Sequence, residues 1–279
     1  MLKLENVSKS FDNFQLSNIS FELEEGFIMG LIGPNGSGKT TLIKIIMNLL
    51  NQDDGNIYFM GENIKDNPTK FKENIGFVYD NLYFYENLRV SDFEKTIASF
   101  YKNFDCKKFD NYLDKFEISK KAKIKYLSKG QSIKLMLAKA LSHNAKLLIL
   151  DEPTSGLDPI FRKDMIKLIQ EELESGDKSA IFSTHITQDL ESMADYITFI
   201  NNGKLVFSES KEFIDENYKI IRGTKELLDN SDIDFIKRKD ERYFSEGLFK
   251  EAGYQNNEYI SKATLEDILY YMGKGSING

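Results

Sequence analysis

The stretch FIMGLIGPNGSGKTTLIKIIMNLL, residues 27–50, decides the fold of this chain. Its first part is apolar and predicts a buried strand that leads into a glycine-rich turn. From Lys39 onward the apolar spacing is that of a helix. One face of that helix would carry Leu42, Ile45, Ile46 and Leu49. A strand, a loop and a helix in this order are the context in which GPNGSGKT, residues 33–40, predicts a phosphate-binding loop.

The residues of this loop suit a polyphosphate. Gly36 and Gly38 let the backbone curl without a Cβ clash, so that successive N–H groups face the phosphates at the positive end of a helix. Lys39 supplies a point charge for the β and γ phosphates. Thr40 can place its hydroxyl on Mg²⁺, and Thr41 can hydrogen-bond adjacent phosphate oxygens. An accidental glycine-rich turn explains this combination less well.

An acidic pair follows an apolar run in KLLILDEPTSGLD, residues 146–158. The run predicts a buried strand that ends at Asp151, where a carboxylate can accept hydrogen bonds from Mg²⁺-bound water. On an extended backbone the next side chain, Glu152, would point to the opposite face, toward an attacking water. Glu152 is therefore the candidate general base, although an acidic pair alone would equally suit the start of a loop.

The rest of the chain alternates strand-like and helical segments, which predicts an α/β fold. LKLENV and QLSNISFEL favour an antiparallel sheet near the N-terminus, and VSDFEKTIASFYKNF and KKFDNYLDKF favour two amphipathic helices. YITFI and KLVFS flank the turn NNGK and suit a hairpin. Near the end of the chain, Thr264 is placed to cap the helix of TLEDILYYM.

Composition and charge disfavour several classes of protein. The 279 residues carry a formal charge of −7 and 41% hydrophobic side chains, which suits an ordinary globular chain and disfavours a nucleic-acid partner. The single cysteine, Cys106, and the first residues, which lack an apolar signal segment, suit the cytoplasm. No stretch approaches the roughly 18 to 20 apolar residues that span a bilayer, so we expect any membrane role to be peripheral.

Four elements together resemble the ABC ATPase family: GPNGSGKT, LSKGQ at 127–131, LLILDEP with SGLD at 155–158, and STH ending in His185. Their order and spacing match the family over about residues 1–214. The resemblance implies an α/β P-loop NTPase (RecA-like) nucleotide-binding domain in residues 1–214, with an antiparallel β subdomain and a helical subdomain inserted at 81–143. Residues 215–279 would form a small mixed extension, which could serve in dimerisation, in regulation or as a cover over the nucleotide.

The resemblance also implies ATP as the ligand, Mg²⁺ as the cofactor and ATP hydrolysis as the activity. Catalysis would involve Glu152, Lys39 and the switch histidine His185, and the metal would bind Thr40, Asp80 and Asp151. The nucleotide would contact Phe11, Gly33, Pro34, Asn35, Gly36, Ser37, Gly38, Lys39, Thr40 and Thr41 in one subunit, and Ser128, Gly130 and Gln131 in its neighbour.

Partners follow from the same resemblance. Because each site joins the phosphate-binding loop of one subunit to the LSKGQ loop of another, the chain would need a second copy or a paralogue. Asp158 resembles the aspartate at that dimer interface. A separate transmembrane permease would hold the chain at the cytoplasmic face of the membrane.

Several side chains fit two roles. Phe11 is the candidate for stacking on adenine, with Phe14 as its rival and burial in the core as the alternative. His143 ends the helix after LSKGQ, where a helix-end or surface role fits better than catalysis. Tyr83, Phe84 and Tyr85 lie where the family docks its membrane subunit, and burial within the helical subdomain is equally compatible.

Two positions depart from the family pattern. Asp80 stands in IGFVYD where the family has glutamine. Its carboxylate can still serve Mg²⁺ but is shorter and negatively charged, so we predict weakened or retuned Mg²⁺ engagement. Lys129 replaces the common glycine of the LSGGQ-type loop, and its cation would either aid the phosphates or point to solvent.

The segment DNLYFYENLRV at 80–90 and the tail ATLEDILYYM at 263–272 are similar to exporter ATPases of low-GC Gram-positive bacteria. Some of these exporters handle antimicrobial or toxic peptides, including staphylococcal phenol-soluble modulins, so the sequence favours a peptide exporter. A soluble ABC ATPase acting on ribosomes or DNA is the main rival. It is disfavoured because the chain shows one nucleotide-binding domain and neither a coiled-coil nor a zinc insertion. A sensor that never hydrolyses is disfavoured by Glu152 and His185.

Overall fold

The stretch at residues 27–50 forms the strand, loop and helix that its pattern predicts. The computed structural model describes residues 1–79, 87–251 and 258–273. Strand β3 (Ile28–Ile32) is buried along its whole length, and helix α1 (Lys39–Ile46) follows the loop. Three of the four predicted face residues are buried, but the prediction for Leu49 is wrong. Helix α1 ends at Ile46, and the turn after it leaves Leu49 53% exposed.

A parallel group of strands forms one half of the main sheet. Its order is β6 (Ile75–Val78), β7 (Leu147–Asp151), β8 (Ser179–Ser183), β3 and β9 (Tyr196–Asn201), and all neighbours in this group pair in parallel. Strands β6, β7, β8 and β3 are buried at every position, as strands covered on both faces are. Because the carboxyl ends of parallel strands meet at one edge, the residues after β3, β7 and β8 come together there.

The other half of the sheet is mainly antiparallel, as the N-terminal pattern predicts. Strand β10 (Lys204–Ser210) pairs antiparallel with β9 and in parallel with β2 (Phe14–Leu23). The sheet then continues with antiparallel pairs through β1 (Leu2–Phe11), β4 (Asp54–Phe59) and β5 (Glu62–Asn63). The turn between β9 and β10 has positive φ at Asn202 (47°) and Gly203 (71°). Two successive positive φ angles match the twist of a tight hairpin, so the hairpin predicted from NNGK is confirmed.

Helices cover the parallel half of the sheet. They are α2 (Pro68–Glu73), α3 (Val90–Phe100), α4 (Cys106–Lys115), α5 (Lys129–Leu141), α6 (Pro159–Leu173), α7 (Thr187–Met193) and α8 (Lys211–Asn217). Helices α3, α4 and α5 lie between β6 and β7, where the helical insertion was expected. Residue 214, the last of the expected nucleotide-binding domain, lies inside α8. No helix in the described part of the chain is long and apolar enough to cross a membrane.

His143 follows α5 and is only 1% exposed, so its predicted surface role is wrong. Its Nδ1 lies 3.0 Å from the carbonyl oxygen of Lys139, and its Nε2 lies 3.0 Å from that of Ile75. Its ring also packs on Tyr101, with ring centroids 4.1 Å apart. Burial lowers the pKa of His143. The histidine therefore joins the end of α5 to β6, which agrees with the helix-end half of the prediction.

A second sheet and two helices form the C-terminal part of the chain. The sheet order is β12 (Phe235–Asp240), β13 (Ser245–Lys250), β11 (Tyr218–Gly223) and β14 (Ile260–Lys262), and the helices are α9 (Lys225–Asp229) and α10 (Leu265–Gly273). The Asp267 N–H donates to Thr264 Oγ1 at 3.1 Å, and the Thr264 N–H donates to Asp267 Oδ2 at 2.9 Å. The N-cap predicted at Thr264 is therefore confirmed.

The C-terminal part shares its core with the parallel sheet. Ile220, Leu248 and Ile268 belong to the same buried cluster as Ile32 of β3 and Phe182 of β8. Burial of one such side chain contributes about 1.5–3 kcal/mol. This shared core fixes the C-terminal helices and strands onto the edge of the sheet where the strands end.

Candidate functional site

The phosphate-binding loop (P-loop, residues 33–40) connects β3 to α1 at the carboxyl edge of the sheet. Gly36 and Gly38 have φ angles of 78° and 110°, a region that favours glycine. A Cβ at Gly38 would lie 2.7 Å from Leu16 and 2.8 Å from Phe14, so a larger residue would not fit. Gly38 is the N-cap of α1 and provides no side-chain cap. The first N–H groups of α1 are therefore left for an anion, because no capping side chain occupies them.

A cavity of about 430 Å³ opens over this loop. Among the described residues its lining consists of Phe14, Asn35, Gly36, Ser37, Gly38, Lys39, Thr40, Thr41 and Glu152. The structure thus brings most of the predicted phosphate-binding residues together with the candidate base. Gly33 and Pro34 line an adjoining cavity that shares Asn35.

Phe14 lines the P-loop cavity, whereas Phe11 is not in its lining. The two rings lie across the β1–β2 hairpin with centroids 6.3 Å apart, and Phe11 is 45% exposed. Phe14 packs beside Gly38, so its ring helps to shape the loop. The Phe11 ring faces outward and keeps a surface that an adenine could stack on. Sequence reasoning named both residues but did not foresee the contact with Gly38.

The side chain of Lys39 folds back onto the start of the P-loop. Its Nζ donates to the carbonyl oxygens of Gly33 at 2.8 Å and of Pro34 at 3.3 Å. Burial lowers the pKa of Lys39, and the carboxylates of Glu152 and Asp151 oppose that shift. Lys39 is therefore a cation held close to two carboxylates and beside the backbone N–H groups of the loop.

Asp151 and Glu152 separate at the end of β7, but not in the way expected from an extended backbone. Asp151 is the last strand residue and is 4% exposed. Glu152 takes a left-handed conformation with φ 50°, and its N–H donates to the carbonyl oxygen of Ser183 at 2.9 Å. The expectation of opposite faces of one strand is therefore wrong. A local backbone turn directs Glu152 toward the cavity, and such a conformation costs about 1–3 kcal/mol in a residue other than glycine.

His185 lies against the candidate base. Its Nδ1 is 2.7 Å from Glu152 Oε2, a hydrogen-bonding distance, and its side chain is 54% exposed. His185 follows β8 as Glu152 follows β7, and these two strands pair in parallel. The neighbouring strand ends therefore explain why residues 33 positions apart in the sequence meet. The contact holds the carboxylate of Glu152, and in the part of the chain that the structure describes no hydrogen bond engages Nε2 of His185.

The oxygen donors at this edge suit Mg²⁺. Thr40 supplies a hydroxyl in the cavity, and Asp151 supplies a carboxylate close enough to Lys39 to act on its pKa. Mg²⁺ prefers such oxygen ligands and takes few of them from the protein, with phosphate and water as the others. Asp80, the third predicted metal ligand, lies outside the described residues, as do Tyr83, Phe84 and Tyr85.

The LSKGQ loop (residues 127–131) starts helix α5 and does not reach its own P-loop. Ser128 Oγ accepts from the Gln131 N–H at 3.2 Å, and Gln131 Oε1 accepts from the Ser128 N–H at 3.1 Å. This capping box starts the helix firmly and leaves Ser128 exposed. Among the described residues, none of this loop lines the P-loop cavity. The structure therefore separates Ser128, Gly130 and Gln131 from the other predicted ligands of the same chain.

The SGLD loop (residues 155–158) packs on the LSKGQ loop. A Cβ at Gly156 would lie 3.6 Å from Lys129 Nζ, so the amine of Lys129 lies over this loop. Asp158 Oδ1 accepts from the N–H groups of Ile160 at 3.1 Å and Phe161 at 2.9 Å, which makes it the N-cap of α6. Sequence reasoning missed this capping role, although an aspartate directly before Pro159 is a typical helix start.

Comparisons with known proteins agree with this geometry. A protein-family model described as ABC transporter matches residues 16–155. The ABC transporter ATP-binding protein YtrB of Bacillus subtilis is 32% identical over 219 residues, which cover 78% of this chain and 75% of YtrB. The lantibiotic transport ATP-binding protein SrtF of Streptococcus pyogenes is 32% identical over 242 residues, which cover 86% of this chain and 100% of SrtF.

Solved structures share the same architecture. The dimeric ATP-binding cassette MJ0796, bound to ADP and Pi, superposes with a TM-score of 0.68 at 25% identity, over 75% of this chain and 98% of that one. An ATP-binding subunit of an ABC transporter superposes with a TM-score of 0.71 at 24% identity, over 77% and 91% of the two chains. Motifs, fold and relatives therefore show that the chain belongs to the ABC transporter family, in which it is an ATP-binding and ATP-hydrolysing subunit.

Proposed function

We propose that this chain powers an ABC exporter: it dimerises on ATP and drives peptides through a separate transmembrane permease. One observation carries the proposal of dimerisation. The P-loop, Glu152 and His185 surround one cavity, whereas the LSKGQ loop starts a helix away from it. A site that uses both loops needs a second nucleotide-binding subunit, either another copy or a paralogue.

Within each site the P-loop residues bind the phosphates, and Lys39 neutralises the β and γ phosphates. Glu152 acts as the general base on the attacking water, because its carboxylate faces the cavity and is held by His185 at 2.7 Å. His185 offers its other ring nitrogen to the γ-phosphate. Bound Mg²⁺ supplies electrostatic stabilisation of the phosphates, and Thr40, Asp151 and Asp80 are its proposed ligands.

The remaining contacts complete the nucleotide site. Phe11 stacks on the adenine, and its exposed ring next to Phe14, which lines the cavity, supports this role. Ser128, Gly130 and Gln131 of the partner contact the γ-phosphate through the N-terminus of α5. Asp158 lies at the subunit interface in addition to capping α6.

Export of amphipathic peptides is the transport activity that we propose. The likeness to a lantibiotic transport protein over that protein's full length supports a peptide substrate, and phenol-soluble modulins are candidates. A permease would place the chain at the cytoplasmic face of the membrane, with Tyr83, Phe84 and Tyr85 as its proposed docking residues. The relatives' names describe transport proteins, which argues against action on ribosomes or DNA.

A Glu152→Gln variant tests the proposed catalytic role. The amide keeps the shape of the side chain but cannot accept the proton of the attacking water. We expect ATP hydrolysis to fall by about 10²-fold or more, with ATP binding retained and the ATP-bound dimer made longer-lived. Turnover by phosphate release and dimer size by light scattering measure both effects. Unchanged hydrolysis in this variant would remove Glu152 from the mechanism.

A test of the proposed transport activity requires the transmembrane permease. The chain should co-purify with a transmembrane permease from the cells that produce it, and amphipathic peptides should stimulate the ATPase activity of the reconstituted complex. Unrelated soluble peptides of equal length and charge are the control. Equal rates with both peptide sets would contradict peptide export while leaving the ATPase activity established.

A further inference from the structure

Helix α10, at the end of the described chain, lies beside the nucleotide cavity. Glu266, Leu269, Tyr270 and Gly273 share one face of this helix, at the spacing i, i+3, i+4 and i+7. That face lines a cavity of about 380 Å³. The opposite wall is formed by Gly33, Pro34, Asn35 and His185. Because Asn35 also lines the P-loop cavity, the two cavities adjoin at the P-loop.

The other face of α10 is fixed in the core. Leu265, Ile268 and Tyr271 are at most 3% exposed and belong to the cluster that contains β3 and β8 residues. The helix therefore has little freedom to swing away from the sheet, and the face toward the P-loop is held in place from behind.

Each end of α10 is attached to a different part of the site. At its start, the Leu265 N–H donates to Glu191 Oε1 at 2.7 Å. Glu191 lies on α7, the helix that begins two residues after His185. At the end of α10, the Asn201 side-chain amide donates to the carbonyl oxygens of Met272 at 3.0 Å and Gly273 at 3.2 Å.

Asn201 also belongs to the hairpin that supports the P-loop. It is the last residue of β9, and the Gly203 N–H in the following turn donates to the carbonyl oxygen of Ser37 at 3.0 Å. A Cβ at Gly273 would lie 3.3 Å from Pro34 Cγ, so the end of α10 rests against the loop. One hairpin therefore holds both the P-loop and the end of α10.

We propose that α10 positions the P-loop and His185 relative to one another, and that Asn201 is the positioning residue at its P-loop end. The inference rests on the proposed roles of these two elements in hydrolysis. The C-terminal extension would then contribute to the nucleotide site of its own subunit. Displacement of reacting groups by about 1 Å can cost up to 10²-fold in rate, so a brace at this place has a measurable effect.

An Asn201→Ala variant, with Asn217→Ala as its matched control, tests the proposal. Asn217 also donates its side-chain amide to a backbone carbonyl oxygen, that of Phe213 at 2.8 Å, but this bond lies within α8 and joins no second element. We expect both variants to lower the thermal unfolding midpoint slightly. Only Asn201→Ala should lower kcat, by roughly tenfold, with a smaller change in KM for ATP. Equal kcat values in the two variants would overturn the proposal.

A fluorescence experiment reports on the same region while Asn201 is kept. The chain contains no tryptophan, so Tyr270→Trp places a single fluorophore on the α10 face beside the P-loop, and Tyr243→Trp places one on a site that is 83% exposed. Titration with ATP and Mg²⁺ should change the emission of the Tyr270→Trp chain only. A response from neither chain, while nucleotide binding is detected by calorimetry, would overturn the proposal.

The experiments separate the role of α10 from the proposed function. If the parent chain and its complex show no ATP hydrolysis, the proposed function is contradicted. If the parent hydrolyses ATP and both Asn201→Ala and the Tyr270→Trp reporter behave like their controls, only the proposed role of α10 is contradicted.

Discussion

The P-loop and the LSKGQ loop are both glycine-containing loops that start a helix, yet they begin their helices in opposite ways. Helix α1 starts at Gly38, a left-handed glycine without a side-chain cap. Helix α5 starts at Ser128, which forms a capping box with Gln131. The first arrangement leaves helical N–H groups for a ligand, and the second satisfies one of them within the chain.

The surroundings of the two loops differ as much as their caps. The P-loop lies among Lys39, Glu152 and His185, whereas the LSKGQ loop packs on the SGLD loop. A helix N-terminus alone therefore does not make a nucleotide site. The P-loop has charged groups around it, and in the proposed dimer the LSKGQ loop completes the site of the other subunit.

A mixing experiment tests the different roles of the two loops, and its expected effect on the ATPase rate is the largest. Lys39→Ala disables the P-loop, and Ser128→Arg blocks the LSKGQ loop with a bulky side chain at an exposed position. Each variant alone should lose about 10²-fold or more of the ATPase rate. A mixture should recover activity, because a mixed dimer holds one site with both loops intact. The control is a mixture of two separate preparations of Lys39→Ala. If the mixture of Lys39→Ala with Ser128→Arg hydrolyses ATP no faster than either variant alone, the result contradicts sites shared between subunits.

The glycines of the two loops should respond differently to alanine. In Gly38→Ala the new Cβ meets Phe14 and Leu16 below 3 Å at φ 110°, so we expect a loss of about 2–3 kcal/mol in the free energy of unfolding. In Gly130→Ala the nearest atom is 3.6 Å away and the residue is helical, so stability should stay within about 1 kcal/mol of the parent, in the stabilising direction. Denaturant unfolding measures both, and equal losses would show that the loops are not built differently.

The serines of the two loops give a smaller contrast. Ser128→Ala removes a helix cap and should cost about 1 kcal/mol of stability. Ser37 Oγ is buried and has no hydrogen-bond partner in the part of the chain that the structure describes. Ser37→Ala should therefore leave the stability of the nucleotide-free chain unchanged or slightly higher. A larger loss from Ser37→Ala than from Ser128→Ala, in thermal unfolding without nucleotide, would contradict the assignment of caps.

The last contrast concerns a lysine on each of the two helices. Burial lowers the pKa of Lys39, but Glu152 and Asp151 oppose the shift. Burial lowers the pKa of Lys139 on α5 to about 8, and Lys139 lies 5.7 Å from the ring of Tyr101 and next to His143. Burial therefore disfavours the charge on both lysines, but at Lys39 two carboxylates partly offset this effect.

The sign of the pH dependence follows from the direction of the shift at Lys139. Between about pH 8 and the ordinary lysine pKa of 10.5, the unfolded chain holds one more proton at this residue than the folded chain. This contribution to stability therefore rises with pH as the unfolded chain loses that proton. Lys139→Met should be the more stable chain at pH 7 and should lose that advantage by pH 10. A constant difference across this range would contradict the lowered pKa.

Local patterns predicted much of the fold because their causes are local. The P-loop unit, the hairpin around Asn202 and Gly203, and the cap at Thr264 depend on residues a few positions apart, and all three are confirmed. The prediction for Leu49 was wrong because periodicity does not indicate where a helix ends. The predicted surface role of His143 was wrong because its burial depends on β6, which is distant in sequence.

The site was predictable in its membership but less so in its arrangement. The motifs named Lys39, Asp151, Glu152 and His185 as site residues, and the structure places Lys39 near both carboxylates and His185 against Glu152. The left-handed backbone at Glu152 and the contact of Phe14 with Gly38 were not foreseen, since both result from packing between strands. The place of α10 was left open, because residues 265–273 are separated from the P-loop by more than two hundred positions.

The sequence by itself determined the chemical groups of this protein: a glycine loop with a lysine suited to phosphates, an acidic pair at a strand end, and an LSKGQ loop that we propose serves a second subunit. These follow from residue types at short spacing. The tertiary structure decided which groups meet. Parallel pairing of β7 with β8 brings His185 to Glu152, and a shared core presses α10 against the P-loop. Contacts of this kind depend on the burial of apolar surface between distant segments, which no local pattern encodes.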